Sequence, residues 1–322
     1  MSRQEILTYL GADWARTLAL IRSSLHREVG LLEDTNGRIL DNFGKLLRPM
    51  ITLLVARAIA EPNSDSICYA AATELFHNAT LMHDDVADGS AERRGRPTVA
   101  ALLGPSAAVL VGDYWLARAV DLIVGSEHSV EAIRLYSRTL TELAEGEMLQ
   151  LEKAASADTT EEDYLRIIRY KTGSLFCVAA ETAALSVEAS PEQRAAAVTF
   201  ADALGKAFQI KDDILDYAGT DSLGKPVGVD LREQKITLPL LGALAGSPRE
   251  AEIREMVRGI PAHPEYCDRI QAFVAERDGI RFAVRRLGEW IERAVRALDV
   301  FADSPAKRFL ADLARYNMWR EV

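Results

Sequence analysis

The chain has 322 residues, of which 48% are hydrophobic and 27% charged, and its formal net charge is −10. These are ordinary values for a globular protein, and the acidic balance argues against nucleic-acid binding, which needs a basic face. The apolar runs fall far short of the roughly 18 residues that span a bilayer. Residues 1–5 lack the basic-then-apolar layout of a secretion signal.

Helical periodicity runs through almost the whole chain, and strand signals are nearly absent. Apolar residues recur at three- and four-residue spacing, which predicts an all-α fold. Segments 66–88, 175–187 and 199–215 are apolar almost all round, so we expect them in the middle of a large helical bundle around a central cavity. No linker composition divides the sequence, so residues 1–322 are predicted to form a single domain. The predicted helices cover residues 5–28, 49–60, 66–88, 98–124, 129–155, 161–187, 191–218, 236–246, 249–259, 264–278, 280–302 and 304–320.

The three cysteines are scattered along the chain. Cys68, Cys177 and Cys267 have no metal-ligand spacing, and their number is odd. They predict reduced thiols in a cytoplasmic protein.

Two pentapeptides, residues 84–88 and 212–216, both read Asp-Asp-x-x-Asp; we call them the first and second acidic motifs. Like charges four residues apart destabilise a helix by roughly 0.2–0.5 kcal/mol per pair. Gly89 and Gly219 follow, which predicts that both motifs lie near helix C-termini, where the helix dipole disfavours anions. A solvated acidic face could explain one such motif, but two in matched contexts indicate a functional site.

The acidic motifs predict a Mg²⁺ site in which the two acidic pairs can face each other across a cavity. Mg²⁺ takes oxygen ligands and is usually held by one or two carboxylates plus substrate phosphates, whereas Zn²⁺ sites normally include His or Cys. His83 adjoins Asp84 but lies about 100° round the helix, so packing is the better interpretation for it. The candidate ligands are Asp84, Asp85, Asp88, Asp212, Asp213 and Asp216.

Basic residues concentrate near the first acidic motif. Arg93, Arg94 and Arg96 lie in a loop that could present guanidinium groups to phosphate oxygens. Lys45 and Arg48 precede a proline-initiated helix, whose N-terminus favours anions.

Polar residues also interrupt the apolar segments near the second motif. Lys171 and Thr172 break one apolar helix, and Gln209 lies one turn before Asp213. Buried polar groups need partners, so core hydrogen bonding remains an alternative for Thr172 and Gln209. Beyond the motif, a loop with Lys225 and Lys235 could cover the carboxylates.

With these residues assembled, the chain resembles the all-trans polyprenyl diphosphate synthases. Six elements occur in that family's order: Gly-Lys-x-x-Arg-Pro at 44–49, His77, the first acidic motif with its two arginines, Lys-Thr at 171–172, Gln209 with the second motif, and the Gly-Lys to Lys-x-Thr-Leu-Pro stretch at 224–239. The resemblance implies an isoprenoid-synthase helical bundle and a Mg²⁺-dependent prenyltransferase of isoprenoid biosynthesis. Such an enzyme ionises an allylic diphosphate and lets isopentenyl diphosphate attack the carbocation.

The resemblance also implies residue roles. The six aspartates would bind Mg²⁺ bridged to the allylic diphosphate. The residues that would hold that diphosphate are Arg93, Lys171, Lys225 and Lys235. The residues that would bind isopentenyl diphosphate are Lys45, Arg48, His77 and Arg94. Lys171, Thr172, Gln209 and Arg93 would take part in catalysis, with Thr172 and Gln209 facing the carbocation.

Two positions depart from the family pattern. Leu46 stands where the family usually has Arg, and Gln234 where it usually has Gly. We expect altered substrate affinity and a stiffer flap rather than lost chemistry.

Product length is predicted from the residues around the first motif. Short-chain relatives without an insertion in this motif typically place an aromatic residue five positions before it, where this chain has Ala79 followed by Thr80. A small residue would leave an elongation tunnel open, which favours a product of about C30–C50 by analogy. Tyr114 and Trp115 are candidates for the tunnel floor, with ordinary core packing as the alternative.

Other interpretations remain. A short-chain synthase is one alternative, and a regulatory subunit of a heteromeric synthase is another, although such subunits lose one or both acidic motifs. Terpene cyclases and head-to-head synthases fit less well, because they lack the second motif or the Lys-x-Thr-Leu-Pro element. We expect a homodimer from the family and from the apolar segment 98–124, and a product that passes to a membrane.

The tunnel hypothesis predicts that Ala79→Tyr shortens the product to about C15–C20 by analogy with short-chain relatives. Chromatography of the extracted products measures this. An unchanged product length would mean that Ala79 does not line the tunnel.

Overall fold

The computed structural model describes residues 2–26, 28–218 and 228–319. Helices dominate these residues, so the predicted all-α fold is confirmed. Their bounds are α1 Arg3–Leu25, α2 Gly30–Leu40, α3 Leu47–Ile59, α4 Ser64–Ala87, α5 Val99–Leu103, α6 Pro105–Val124, α7 Ser129–Ser156, α8 Glu161–Ile168, α9 Ser174–Ser186, α10 Pro191–Ala218, α11 Val229–Arg232, α12 Leu238–Leu244, α13 Glu250–Gly259, α14 Tyr266–Glu276, α15 Gly279–Ala297 and α16 Pro305–Trp319. None of the described helices is long and apolar enough to cross a membrane.

The chain divides into two compact units, and it passes between them several times. Unit 1 comprises Met1–Ser137, Val178–Ala197 and Phe301–Leu310, and unit 2 comprises Arg138–Cys177, Val198–Val300 and Ala311–Val322. A single domain stays a prediction.

The centre of unit 1 is α4. Asn63 caps its N-terminus by accepting a hydrogen bond from the Ser66 backbone N–H, which supplies one of the partners that helix starts lack. Almost every residue from 65 to 82 is buried, and α4 packs against α1, α3 and α6. The nearly all-round apolar sequence therefore forms a buried central helix, as expected.

Helix α2 was not predicted, because weak helix formers lie in its middle. Thr35, Asn36 and Gly37 interrupt the apolar periodicity. Tertiary hydrogen bonds replace that propensity. The Asn36 amide donates to the Leu25 carbonyl at 2.8 Å and accepts from the Trp115 Nε1–H at 2.9 Å, with both side chains buried.

The predicted helix 98–124 is two helices. Thr98 caps the first by accepting from the Ala101 N–H at 3.1 Å. Gly104 then takes φ 87°, a value that favours glycine, and Pro105 begins α6. A two-stranded hairpin, β1 Glu92–Arg93 and β2 Arg96–Pro97, precedes α5. The hairpin was not predicted, because its two-residue strands are too short to show alternation of apolar and polar residues.

In unit 2, the predicted helix 161–187 is broken by a π-helical turn at Arg169–Gly173; we call it the π-turn. The apolar core of this unit includes Leu238, Leu240 and Ile253, and α12 packs against α15. The π-turn contains Lys171 and Thr172, the residues whose polarity interrupted the apolar pattern. π-Turns occur frequently at functional sites.

The Asn36 hydrogen bonds give a stability prediction. Asn36→Ala leaves a buried N–H and a buried carbonyl unpaired, so the free energy of unfolding should fall by about 2–3 kcal/mol. Calorimetry should show a melting temperature lower by roughly 5 °C. Asp41→Ala, an exposed change just after α2, is the control. Equal shifts for both variants would contradict a structural role for Asn36.

Candidate active site

The first acidic motif occupies the last turn of α4, as predicted. Asp88 is the C-cap, and Gly89 follows with φ 62°. Asp84 is half-buried and Asp88 is exposed. Two of the candidate ligands are therefore accessible to solvent. They lie at a helix C-terminus, whose partial negative charge disfavours anions.

Asp85 lies deeper and is held by Arg93. The Nε–H of Arg93 donates to Asp85 Oδ1 at 2.7 Å, Arg93 Nη2 lies 2.7 Å from the same oxygen, and the Asp85 side chain is 7% exposed. Burial raises the pKa of Asp85, while the Arg93 charge and hydrogen bond oppose that rise. The structure thus joins a predicted metal ligand to a predicted diphosphate ligand.

The hairpin turn positions Arg94. Arg94 and Gly95 both have positive φ, 54° and 70°, and the Arg94 Nη1–H donates to the Asn42 carbonyl at 3.3 Å. A Cβ on Gly44 would lie 2.5 Å from the Arg94 guanidinium carbon. Glycine at position 44 therefore lets the guanidinium lie directly against the backbone.

Arg48 and His77, both half-buried, interact electrostatically, and Arg48 also interacts with the buried Glu74. Burial lowers the pKa of Arg48 to about 10. Burial lowers the pKa of His77 well below its usual value, helped by the Arg48 and Arg94 charges, which favours the neutral imidazole. Its Nδ1 is buried without a hydrogen-bond partner among the described residues. A buried, unsatisfied ring nitrogen beside guanidinium groups is fitted to meet a polar ligand. Lys45 is exposed nearby in sequence.

Glu74 was missed by sequence reasoning, although a signal existed. It is an acid in an otherwise apolar helix, three residues before His77. Burial raises the pKa of Glu74 and the Arg48 charge opposes the rise, while Asn78 Nδ2 donates to Glu74 Oε1 at 2.9 Å.

Unit 1 contains a cavity of about 560 Å³, which we call the α4 cavity. Its α4 wall consists of Asn78, Leu81, Met82 and Asp85; other lining residues come from α2, the hairpin and α5. Arg93 and Arg94 are among its lining residues, so it combines guanidinium groups with apolar walls.

The four predicted chain-length residues lie elsewhere. The residues that line the α4 cavity do not include Ala79, which is fully buried. Thr80 is buried and donates to the His77 carbonyl at 2.9 Å. Tyr114 is half-buried, and Trp115 is fully buried against Asn36. The surroundings of Trp115 are those of ordinary core packing, the alternative to a tunnel floor.

The second acidic motif occupies the end of α10 in unit 2. Both oxygens of Asp213 are engaged: Oδ2 accepts from the Tyr164 hydroxyl at 2.6 Å and Oδ1 from the Gln209 amide at 2.9 Å. Gln209 Oε1 in turn accepts from the Thr172 hydroxyl at 2.8 Å. Asp212 is half-buried. The predicted residues Thr172, Gln209 and Asp213 thus form one hydrogen-bonded chain.

Negative charge is crowded around this motif. Asp216 accepts from the backbone N–H groups of Val229 and Asp230 at 3.0 and 3.2 Å. Burial and the Asp216 charge raise the pKa of Asp230 to about 6. The pKa of Asp213 is raised by burial and by the Asp230 and Asp212 charges. A bound cation most strongly stabilises the ionised form of carboxylates in such a site.

Tyr164 and Asp230 were not predicted. Tyr164 lies seven residues before Lys171, a spacing that two ordinary helical turns would place on one face. The sequence therefore contained a signal for Tyr164. Asp230 gave none, because its segment was predicted to be a loop.

Two lysines of unit 2, Lys171 and Lys235, are each paired with an acid. Lys171 Nζ lies 2.6 Å from Glu147 and donates to Gln150 Oε1 at 3.0 Å. Lys235 forms an ion pair with Glu233. Lys171, Lys235, Thr172, Gln209 and Asp213 line a polar cavity of about 120 Å³. Lys225 lies outside the described residues.

The two family departures both adopt left-handed backbone conformations. Gln234 has φ 58°, a value that favours the glycine usual in the family. Its amide donates to the carbonyls of Val257 at 3.2 Å and Arg258 at 3.1 Å, which offsets the strain. Leu46, with φ 52°, is buried at the start of α3.

The donor set fits Mg²⁺ carried on a substrate. Among the described residues, no three His, Cys, Asp or Glu side chains converge into a ready-made metal cage. Carboxylates with raised pKa, arranged in pairs, suit an ion that keeps phosphate and water ligands.

Comparisons with known proteins identify the family. A model of the polyprenyl synthetase family matches residues 30–274. The chain is 38% identical to an all-trans-nonaprenyl-diphosphate synthase (geranyl-diphosphate specific) of Rhodobacter capsulatus, over 99% of this chain and 98% of that protein. It is 36% identical to the octaprenyl diphosphate synthase of Escherichia coli (strain K12), over the full length of both.

Solved structures agree. A decaprenyl diphosphate synthase from Rhodobacter capsulatus has a TM-score of 0.90 at 35% identity, covering 98% of both chains. A polyprenyl synthase from Caulobacter crescentus, complexed with calcium and isoprenyl diphosphate, has a TM-score of 0.89 at 34% identity, covering 100% of this chain and 98% of that one. The chain therefore belongs to the polyprenyl synthetase family and is a prenyltransferase enzyme.

Proposed function

We propose that this enzyme uses Mg²⁺ to condense isopentenyl diphosphate with an allylic diphosphate, yielding an all-trans polyprenyl diphosphate of about C30–C50. The observation that carries the proposal is the polar cavity of unit 2. There two lysines and the chain Thr172–Gln209–Asp213 line one space. A diphosphate is the kind of group that ammonium ions and a metal-binding carboxylate would hold together.

The hard step is charge separation at the allylic carbon. Lys171, Lys235, Lys225 and Arg93 would bind the diphosphate and stabilise the charge that develops as the C–O bond breaks. Mg²⁺ held by Asp84, Asp88 and Asp212, with Asp85, Asp213 and Asp216 in support, would neutralise the departing diphosphate. Thr172 and Gln209 orient their oxygens through their mutual hydrogen bond, which lets them face the carbocation.

The second substrate would bind in unit 1. Arg48 and Arg94 supply guanidinium groups for the diphosphate of isopentenyl diphosphate, and the neutral His77 supplies a ring nitrogen. Lys45 adds an exposed ammonium group. The isopentenyl double bond then attacks the allylic carbon, and a proton leaves to the released diphosphate.

Two relatives support a long product, because one is a nonaprenyl and the other an octaprenyl diphosphate synthase. The α4 cavity supports the proposal as space for an isoprenoid chain. Because Ala79 does not line that cavity, the effect of Ala79→Tyr on product length decides whether a separate tunnel passes this residue.

We also propose that the enzyme is a cytoplasmic homodimer. Leu102, Leu103, Val109, Leu110 and Val124 are large apolar residues on α5 and α6 and are more than a third exposed. Exposed apolar residues in such number mark an interaction surface, and a second copy of the chain is its proposed occupant.

The activity assay tests the reaction. With isopentenyl diphosphate, Mg²⁺ and each allylic primer, the wild type should form polyprenyl diphosphates, and removal of Mg²⁺ should abolish turnover. Asp84→Ala and Asp212→Ala should each lower kcat by about 100-fold or more, since they remove leaving-group stabilisation. Asp299→Asn, an exposed change, should leave kcat unaltered. A folded wild type that is inactive with every primer would overturn the enzyme proposal, including its alternative as a short-chain synthase.

The homodimer has its own test. Leu110→Asp places a charge on the exposed apolar surface, where desolvating it would be costly. Light scattering should give a dimer mass for the wild type and a monomer mass for this variant. The control is Val284→Asp, at an exposed position of α15. A monomeric wild type at micromolar concentration would contradict the proposal.

A further inference from the structure

The π-turn of Lys171 and Thr172 is packed against two glycines, one on α7 and one on α10. A Cβ on Gly146 of α7 would lie 2.8 Å from Tyr170 Cβ, 3.1 Å from Lys171 Cγ and 3.2 Å from the Lys171 backbone nitrogen. A Cβ on Gly205 of α10 would lie 2.7 Å from Gly173 Cα. Real side chains almost never approach so closely, so α7 and α10 reach the π-turn only because these positions are glycine.

The residue after Gly146 holds the ammonium group. Glu147 lies 2.6 Å from Lys171 Nζ, and Gln150, one turn further along α7, accepts from the same nitrogen at 3.0 Å. Gln150 and Lys171 line the polar cavity of unit 2, whereas its described lining does not include Glu147. Glu147 therefore holds the ammonium group at the cavity wall from outside the space that a ligand would occupy.

We propose that Gly146 and Glu147 are positioning residues for Lys171, a role that rests on the proposed function of that lysine as a diphosphate ligand. Gly146 sets the distance between α7 and the π-turn. Glu147 selects the Lys171 rotamer that places the ammonium group beside Gln150. Because a lysine has four rotatable bonds, fixing it before the ligand arrives lowers the entropy lost on binding.

A double-mutant cycle tests whether Glu147 acts through Lys171. Glu147→Gln keeps the shape and removes the charge, and it should raise KM for the allylic diphosphate about tenfold while kcat changes less than about threefold. KM for isopentenyl diphosphate should not change. In a Lys171→Ala background, Glu147→Gln should have no further effect. Glu145→Gln, an exposed acid two residues away, is the matched control.

The same double-mutant cycle can be measured without turnover. Calorimetry gives the affinity of each variant for inorganic diphosphate in the presence of Mg²⁺. An inactive wild type would therefore defeat the proposed function and still leave the positioning role measurable. Two results would overturn the inference: unchanged affinity in Glu147→Gln, or an equal loss with and without Lys171.

Gly146→Ala provides a second, independent variant. Its methyl group should displace the π-turn and raise KM for the allylic diphosphate at least about tenfold. Gly288→Ala is the control, since a Cβ on that helical glycine meets nothing within 4 Å. Circular dichroism checks that both variants are folded. Wild-type KM in a folded Gly146→Ala protein would show that the close approach does not position Lys171.

Discussion

The structure depends on carboxylates that are crowded and partly buried, so that their ionised forms are disfavoured. Asp213 and Asp230 both have raised pKa values because burial and neighbouring acids disfavour their ionised forms. Asp85 is in a similar position and is stabilised by Arg93. Helix C-termini add to the cost. A protein keeps such an arrangement where a bound cation relieves it, and the basic residues nearby make a metal-bound diphosphate the ligand that fits.

The surrounding elements hold these groups in place by local exceptions to regular structure. The π-turn presents Lys171 and Thr172, the hairpin turn presents Arg94 through a positive φ, and Gly44 admits the guanidinium against the backbone. In a regular α-helix these side chains would point in other directions. The buried helices α4 and α10 supply rigid supports, because their side chains are fixed by packing on nearly every side.

Much of this could be predicted from the amino-acid sequence. Long apolar periodicities identified the buried helices, and the acidic motifs with Gly89 after the first indicated helix ends. Tertiary effects could not be read in the same way. Helix α2 forms because Asn36 finds partners on other elements, and the π-turn depends on the close approach of Gly146. Tyr164 reaches Asp213 across 49 positions of sequence, so its spacing from Lys171 places it near the site but does not identify its partner.

We expect the two acidic motifs to bind Mg²⁺ tightly only when a diphosphate is also bound. Calorimetric titration of Mg²⁺ into the enzyme, with and without an unreactive allylic thiodiphosphate, measures this directly. Tight Mg²⁺ binding should require the analogue, and it should be lost when Asp84 and Asp212 are both replaced by Asn. Equally tight binding of Mg²⁺ to that double variant would contradict the account.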